Sequence, residues 1–295
     1  MRVRWLKAER LLVASDIAAT TSEKSAPAPA GRALSDRIFR MVLRPRTYRS
    51  LISLAIFLIG WQLIGDYVLT NKLFFVPLSD VAVAFVKLTL SGELWTNIAA
   101  SFKAIGYGMA LAVVIGISFG ILLGASRVVA DYTEVYLNAL YSTPLVAVAP
   151  LLILWLGIGL ASKVAVVFLI SVFPIIISTA SGVRNVDAHY LDVAKSFGAT
   201  RWQVVSKVLI PAGLPFVLTG VRLAIGRAIV GVVIGELFGA SAGLGYLIYT
   251  AGQTFDVPAL FVGVICLAFA GVSLTWALQW LEKRIIRWKP MALED

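Results

Sequence analysis

Charged residues are scarce in this chain, and so are the residue types that build metal and redox sites. Asp, Glu, Lys and Arg together make up 14% of the 295 residues, whereas hydrophobic residues make up 59%. A soluble domain of this length is much less apolar. The single cysteine, Cys266, and the single histidine, His189, exclude an internal disulfide and a Cys/His metal cluster. We predict no metal site, and we expect Cys266 to be a small buried hydrophobic residue and His189 to lie on the surface.

Sequence motifs for nucleotide binding and hydrolysis are also missing. The chain has no G-x-x-x-x-G-K-[ST] loop to cradle phosphates, so any ATP hydrolysis must take place in another polypeptide. It has no H-E-x-x-H, no G-x-S-x-G, and no acid, base and nucleophile together inside its hydrophobic runs. A membrane-embedded enzyme would need such a set. We therefore expect the chain not to be an enzyme and to bind no cofactor itself.

Six long hydrophobic runs dominate what is present. Each is long enough to cross the roughly 30 Å of hydrocarbon in a bilayer. The runs cover residues 51–69, 98–123, 136–156, 164–183, 216–238 and 259–281. We predict an all-α, polytopic membrane protein with six transmembrane helices. Residues 49–295 would form its membrane domain, with a core over 92–282.

The connections between these runs are polar. Residues 70–97 are too polar to span, and Asp80 in this segment favours the start of a short helix. Arg127, Asp131 and Glu134 are expected in the loop between the second and third spans.

The distribution of basic residues predicts the orientation. Residues 1–49 hold eleven Lys and Arg, and further basic residues cluster at 184–207 and 283–289. Because basic segments are retained on the cytoplasmic side, both termini and the segment 187–215 are predicted to be cytoplasmic. The formal charge of +10 then reflects topology, not nucleic-acid binding. The first 48 residues are rich in small polar residues and proline, which predicts a flexible tail.

The segment 187–215 is a polar insert with helical patterning. One face of its first helix is apolar: Tyr190, Val193, Ala194 and Phe197. The other face carries Asp192, Lys195 and Ser196. Gly198 stands where a left-handed C-cap is needed, and Thr200 with Gln203 predicts a capping box that opens a second helix. We expect Pro211 and Pro215 to interrupt that helix. The alternative interpretation is that the segment 187–215 is an ordinary interfacial loop with a solvated charged face, because such a loop has the same periodicity.

The run DVAKSFGA followed by VLIPAGLP resembles the EAA loop of ABC importer permeases. Asp192 stands for its Glu, Val193 and Ala194 for its two Ala, Gly198 for its Gly, and Leu214 with Pro215 for its closing pair. From 78 to 290 the chain is similar to permeases of the nitrate, sulfonate and taurine group. The similarity includes TPLVAVAPLLILWLGIG (143–159), FPIIISTASGVRNVD (173–187) and GELFGASAGLGYLI (235–248). Asp for Glu keeps the charge, whereas Val for Ala adds bulk where a partner would pack.

This resemblance implies a type I ABC importer permease in a bacterial cytoplasmic membrane. The implied partners are a second copy of the chain, two ABC ATPase subunits that bind ATP and Mg, and an extracytoplasmic solute-binding protein. Loop residues implied to serve ATPase coupling are Asp192, Val193, Ala194, Lys195, Gly198, Ala199, Arg201, Leu214 and Pro215. The implied cargo is a small anion of the nitrate, aliphatic sulfonate or taurine class. A neutral heterocycle such as a vitamin precursor is the alternative, and a secondary transporter is disfavoured because internal repeats and broken midplane helices are not evident.

The fifth run carries Arg222, Arg227 and Glu236. A charge at the bilayer centre costs about 2.5 to 3.5 kcal/mol on insertion scales, so these side chains should avoid lipid. We expect Arg222 to extend towards the cytoplasmic interface. Arg227 precedes Gly231 by four residues, so we expect it to share the packing face of Gly231 and to point into the bundle or a water-filled path. Glu236 is expected to be solvated near the outer end. All three are predicted to line the translocation path, where two arginines would suit an anion.

Two runs carry glycines at four-residue spacing. These are Gly116, Gly120 and Gly124 in the second run and Gly231, Gly235 and Gly239 in the fifth. Such stripes allow helix backbones to approach closely in lipid. Flexible or kinked helices are the alternative interpretation.

Overall fold

The computed structural model describes residues 45–69, 71 and 73–286. Nearly all of the predicted basic tail over 1–48 lies outside the described residues. The described chain divides after Gly60 into two units. Regular structure in the described part is entirely helical. The α-helices are α1 Pro45–Leu63, α2 Leu78–Leu90, α3 Glu93–Ala125, α4 Arg127–Ser142, α5 Ala149–Leu156, α6 Leu160–Arg184, α7 Ala188–Ser196, α8 Arg201–Val204, α9 Ile210–Gly239, α10 Leu244–Gln253 and α11 Val257–Ile285.

Five helical segments of the described chain are long and apolar enough to cross a membrane. They are Tyr48–Val68, Glu93–Ala125, Leu160–Arg184, Arg201–Gly239 and Val257–Ile285. A sixth crossing is possible only if one bent pair of helices counts as a single span. The all-α, multi-pass prediction is thus confirmed. Four of the six predicted runs lie inside these segments, and the first run, 51–69, extends one residue past the end of Tyr48–Val68.

The third predicted run, 136–156, is not one continuous helix. Its residues belong to Arg127–Ser142 and Leu145–Leu156, which meet at 84°. The break falls at Thr143 and Pro144, because proline has no N–H for a helical bond and disfavours helical geometry in the residue before it. Arg127, Asp131 and Glu134, expected in a loop, lie in α4 instead.

Helix α6 lies at the centre of the second unit, between α3 and α9. Its buried side chains include Val166, Val167 and Ile175. Gly108 of α3 packs at Val167 and Gly116 packs at Ile175, so α3 and α6 run parallel. The chain must therefore return between them, from the end of α3 to the start of α6. The bent pair α4 and α5 makes this return, which supports six crossings.

The prediction that prolines interrupt the helix before the fifth span is wrong. Residues 201–239 are helical without a break, with a π-helical turn over Val205–Leu209. Pro211 stands in the first turn of α9, and Pro215 lies inside α9. Proline is tolerated in a first turn, where its missing N–H is not needed. The wider π-helical turn precedes these positions and changes which carbonyls need a donor.

Candidate functional site

Helix α7 and its flanking caps form the first part of the candidate site. The Asp187 side chain accepts a hydrogen bond from the His189 N–H at 2.9 Å and caps the start of α7. Gly198 follows α7 with φ of +70°, a conformation that glycine adopts without strain. The Thr200 N–H donates to Gln203 Oε1 at 2.8 Å, and the Gln203 N–H donates to Thr200 Oγ1 at 3.3 Å. The predicted left-handed cap and capping box are both confirmed.

The apolar face of α7 is not packed into the bundle. No residue of α7 is buried. Tyr190 is 59% exposed, Phe197 is 87% exposed, and Trp202 of α8 is 75% exposed. An open groove lies between α7 and the start of α9, lined by Tyr190, Val193, Ala194, Lys207, Val208, Pro211 and Ala212. An exposed apolar surface of this kind is typical of a protein interaction site.

The remaining residues of the EAA-like segment occupy different surroundings. Asp192 and Lys195 form an exposed ion pair of 3.3 Å across one helical turn. Arg201 is exposed and Ala199 is half-buried. Leu214 packs against a buried cluster that contains Leu218, Ile225 and Leu278. Leu214 and Pro215 thus lie inside α9, in its first two turns, and not in the exposed groove.

The two arginines of α9 have different environments. Arg222 forms an ion pair with Glu282 of α11. Arg227 is exposed, while Gly231, four residues later, is buried against Val167. Arg227 therefore does not share the packing face of Gly231, contrary to that prediction. The residues that the structure describes provide no hydrogen-bond or ion-pair partner for the Arg227 guanidinium.

Glu236 is not solvated, and the corresponding prediction is wrong. Its side chain is 0% exposed, so it does not line an open path in this structure. The Ser101 hydroxyl lies 2.8 and 2.9 Å from its two carboxylate oxygens, and the Gly245 N–H donates to Oε2 at 2.8 Å. The position of Glu236 near the end of its hydrophobic run suggested interfacial solvation. That position did not reveal its surroundings, because they come from a distant helix and from the loop after α9.

The structure places all six stripe glycines at contacts with other helices. A Cβ at Gly116, Gly120 or Gly124 would lie 2.9, 2.6 or 2.6 Å from side-chain atoms of α6. At Gly231 and Gly235 it would lie 3.1 and 3.2 Å from Cα atoms of α6, and at Gly239 3.0 Å from Ile153. The first stripe extends further than predicted, since Gly108 meets Val167 in the same way.

Three polar residues near Glu236 escaped the sequence interpretation. Asn97 and Ser101 are buried on α3, and Lys163 is buried at the start of α6. Asn97 and Ser101 are four residues apart, so they share one helical face. That spacing of two polar residues at the start of a hydrophobic run was the available signal. The only histidine of the sequence, His189, is exposed as predicted. The only cysteine, Cys266, was expected to be buried and is half-buried.

The sequence of this chain matches a known protein family. A family model described as the binding-protein-dependent transport system inner membrane component matches residues 112–287. The chain is 34% identical over 241 residues to SsuC of Bacillus subtilis, named as an aliphatic sulfonates transport permease protein, covering 82% of this chain and 87% of SsuC. It is 35% identical over 240 residues to the riboflavin transport system permease protein RibX of Chloroflexus aurantiacus, covering 81% of this chain and 89% of RibX.

A solved structure gives the fold. A chain of the inward-facing MetNI methionine ABC transporter matches with a TM-score of 0.54 and 21% identity, over 66% of this chain and 96% of that chain. The protein therefore belongs to the family of binding-protein-dependent transport system inner membrane components. It is a multi-pass ABC importer permease with the type I fold.

Proposed function

We propose that this chain forms the translocation path of an ABC importer and that α7 receives the motion of a separate ATPase subunit. The observation that carries the proposal is the exposed apolar face of α7. Tyr190, Val193 and Phe197 are 59%, 42% and 87% exposed, although their spacing is that of a helix face that packs against a neighbour. The partner that covers this face would be a separate ATPase subunit. ATP and Mg would bind in that subunit, because this chain has no P-loop.

The caps make α7 suitable for transmitting force. Its start is fixed by Asp187, and Gly198 with the Thr200 capping box fixes the turn into α8. The chain then continues through α8 and the π-helical turn into α9. A displacement of α7 is therefore passed to α6 on one side and α9 on the other as a rigid-body shift.

The coupling proposal is tested by changing the bend at Gly198. Gly198→Val should leave the subunit inserted but stop transport, because a β-branched residue opposes φ of +70° and mis-aims α7. Gly198→Asn should retain most transport, since Asn tolerates this conformation. Gly157→Val is the matched control, because Gly157 has φ of +79° and open space around its Cβ position. Uptake and ATP hydrolysis would be measured in the same vesicles. Normal uptake by Gly198→Val would overturn the coupling role.

The charge distribution supports a cytoplasmic position for α7. Basic residues of the described chain concentrate at the α7 end of the second unit: Arg127, Arg184, Lys195, Arg201, Lys207, Lys283 and Arg284. Basic segments stay on the cytoplasmic side of bacterial membranes. Both termini would then be cytoplasmic, and a solute-binding protein would dock at the opposite end. A reporter that is active only in the cytoplasm, fused after Asp295, checks this orientation.

One exposed face of α9 favours a second copy of the chain as partner. Phe216, Leu223 and Val230 are 42%, 58% and 51% exposed and repeat every seven residues, and Arg227 lies on the same face. A guanidinium in contact with lipid near the bilayer centre is costly, so this face is better placed beside a second subunit and a water-filled path. Native mass spectrometry should find two copies per complex. One copy together with a different permease would contradict the homodimer.

The solute is proposed to be a small anion, such as a sulfonate, nitrate or taurine. Arg227 supports this, because it is the exposed cation of α9 without a partner among the described residues, while Arg222 is paired with Glu282. Arg227→Gln should reduce anion uptake at equal membrane abundance, and Arg227→Lys, which keeps the charge, should reduce it less. Equal uptake by Arg227→Gln and the parent would argue against a role for this charge.

A neutral heterocycle is the second candidate solute. RibX, a relative named for riboflavin transport, covers as much of this chain as SsuC does, to within one percentage point. Retention of sulfonates or of riboflavin-like compounds by the solute-binding protein of the same transporter would distinguish the two.

A further inference from the structure

The segment 240–245 joins α9 to α10 and includes the first two residues of α10. This segment, called the loop 240–245 below, is held mainly by side chains from other helices. Its Gly243 N–H donates to Asn97 Oδ1, its Leu244 N–H donates to Ser101 Oγ, and its Gly245 N–H donates to Glu236 Oε2, each at 2.8 Å. These are three consecutive amides at the start of α10, where a helix leaves its first N–H groups without internal partners. In most helices a side chain next in sequence caps them, whereas here α3 and α9 provide the caps.

A backbone carbonyl group of the same loop is also hydrogen-bonded to a side chain. Lys163 of α6 is 7% exposed and donates from Nζ to the Ala242 carbonyl oxygen at 2.7 Å. We call Asn97, Ser101, Lys163 and Glu236, together with the loop 240–245, the outer brace. The outer brace thus connects the start of α10 to α3, α6 and α9 at once.

Glu236 stands at the centre of the outer brace. It is 0% exposed, as is Ser101, and a buried carboxylate is strongly destabilising unless it is hydrogen-bonded. The Ser101 hydroxyl donates to Glu236 and accepts from Leu244, so it links the carboxylate to the loop a second time. Removing Glu236 would therefore release both Gly245 and the donor of Ser101.

The loop has no room for another arrangement around this carboxylate. Gly243 has φ of +143°, and a Cβ there would overlap the carboxylate of Glu236. A Cβ at Gly245 would lie 2.9 Å from the Cα of Val233. The path of the loop is consequently determined by contacts on several sides, and its two glycines are required by close approach.

We infer that Glu236 is a positioning residue that makes α10 move as one body with α6 and α9. The outer brace lies at the far end of α9 from α7, and the 30 residues of α9 span about 45 Å. A shift received at α7 is passed along α6 and α9 and would be lost at the loop if α10 were loosely attached. This inference rests on the proposed coupling function of α7, and it assigns the element that delivers the shift to the opposite end.

The test measures how firmly α10 is attached. Spin labels would be placed at Gln253, the exposed end of α10, and at Leu160, the exposed start of α6, in a Cys266→Ser background. Labelled chains would be diluted with unlabelled chains in the assembled transporter, so that distances within one chain dominate. The parent should give a narrow distance distribution, and Glu236→Ala should at least double its width.

Two variants separate positioning from a general loss of structure. Glu236→Gln keeps the length and one acceptor for the Gly245 N–H, so it should restore the narrow distribution. Glu134→Ala removes a carboxylate that pairs with Arg184 at the other end of the bundle and should leave the width unchanged. If Glu236→Ala does not insert, Ser101→Ala removes one hydroxyl of the outer brace and carries the same test. An unchanged width in Glu236→Ala, or equal broadening in Glu236→Gln, would overturn the inference.

Transport gives a second readout. Glu236→Ala should lower uptake at least tenfold while ATP hydrolysis by the assembled transporter stays within twofold of the parent. Equal losses of uptake and hydrolysis would contradict the positioning role. Normal transport by Gly198→Val would instead remove the proposed function of α7, so the two failures are distinguishable.

Discussion

Helix α9 is joined to α6 at one end through the exposed helix α7, and to α10 at the other end through the loop 240–245, whose last three residues are buried. Residues of α7 hydrogen-bond to neighbours within a few positions, as Asp187 does with His189. The loop is held by side chains of other helices, and Gly243 and its partner Asn97 are 146 positions apart. One connection is therefore a rigid local unit with an open surface, and the other is part of the helix bundle.

Because of this difference, we expect substitutions at the two ends to have different effects on stability and on binding. Side chains on α7 are exposed, so their replacement leaves few buried groups unsatisfied and acts mainly on binding. Groups of the outer brace are buried, and removing one leaves its partner without a hydrogen bond, at a cost of about 1 to 3 kcal/mol. We therefore expect changes at α7 to separate transport from stability and changes in the outer brace to affect stability strongly.

The largest effect is expected at Gly243. Gly243→Ala should lower the free energy of unfolding by about 3 kcal/mol or more, because it combines backbone strain with displacement of the buried Glu236 carboxylate. Gly159→Ala is the control, since Gly159 has a comparable φ of +154° but open space around its Cβ position, and it should cost only the backbone strain, about 1 to 3 kcal/mol. Thermal unfolding of the purified protein in detergent measures both. Equal destabilisation would mean that strain alone matters and that the outer brace is not tightly packed.

An intermediate effect is expected at Gly120, between the two ends. A Cβ there would lie 2.6 Å from the Cβ of Thr179, so Gly120→Val should push α3 from α6 and cost about 1 to 3 kcal/mol. Gly106→Val, in the same helix but with nothing within 4 Å, should cost clearly less. The same thermal measurement checks the pair, and comparable losses would show that helix propensity, not interhelical contact, dominates.

The smallest effect on stability is expected at Asp192. Its ion pair with Lys195 is 72% exposed on both sides, and exposed pairs contribute only about 0 to 1 kcal/mol. Asp192→Lys should thus unfold with the parent but weaken co-purification of the ATPase, because the substitution reverses a charge on the proposed docking surface. Asp131→Lys, at an exposed position of α4, is the control. Retention of the ATPase by both variants would place the docking surface elsewhere.

Sequence patterns were sufficient wherever the cause was local. Hydrophobic runs located five membrane-spanning helices, because the thickness of the bilayer sets a minimum length for an apolar segment. The bent pair over 127–156 was not located in this way. The bend after α7 was predictable from Gly198 and Thr200, since left-handed caps and capping boxes depend on residues within one turn. The surroundings of Arg222 were not, because its partner Glu282 lies 60 residues away on α11.

By itself the sequence determined the membrane class, five of the spanning helices and the local geometry around α7, since burial in lipid and helix capping depend on composition and short spacings. Tertiary structure decided where each polar group of the bundle lies. Glu236 was expected in solvent, yet the fold surrounds it with Ser101 of α3 and with the loop that follows α9. Whether a carboxylate near a helix end is solvated or buried depends on which distant segments pack over it, and spacing along one helix does not contain that information.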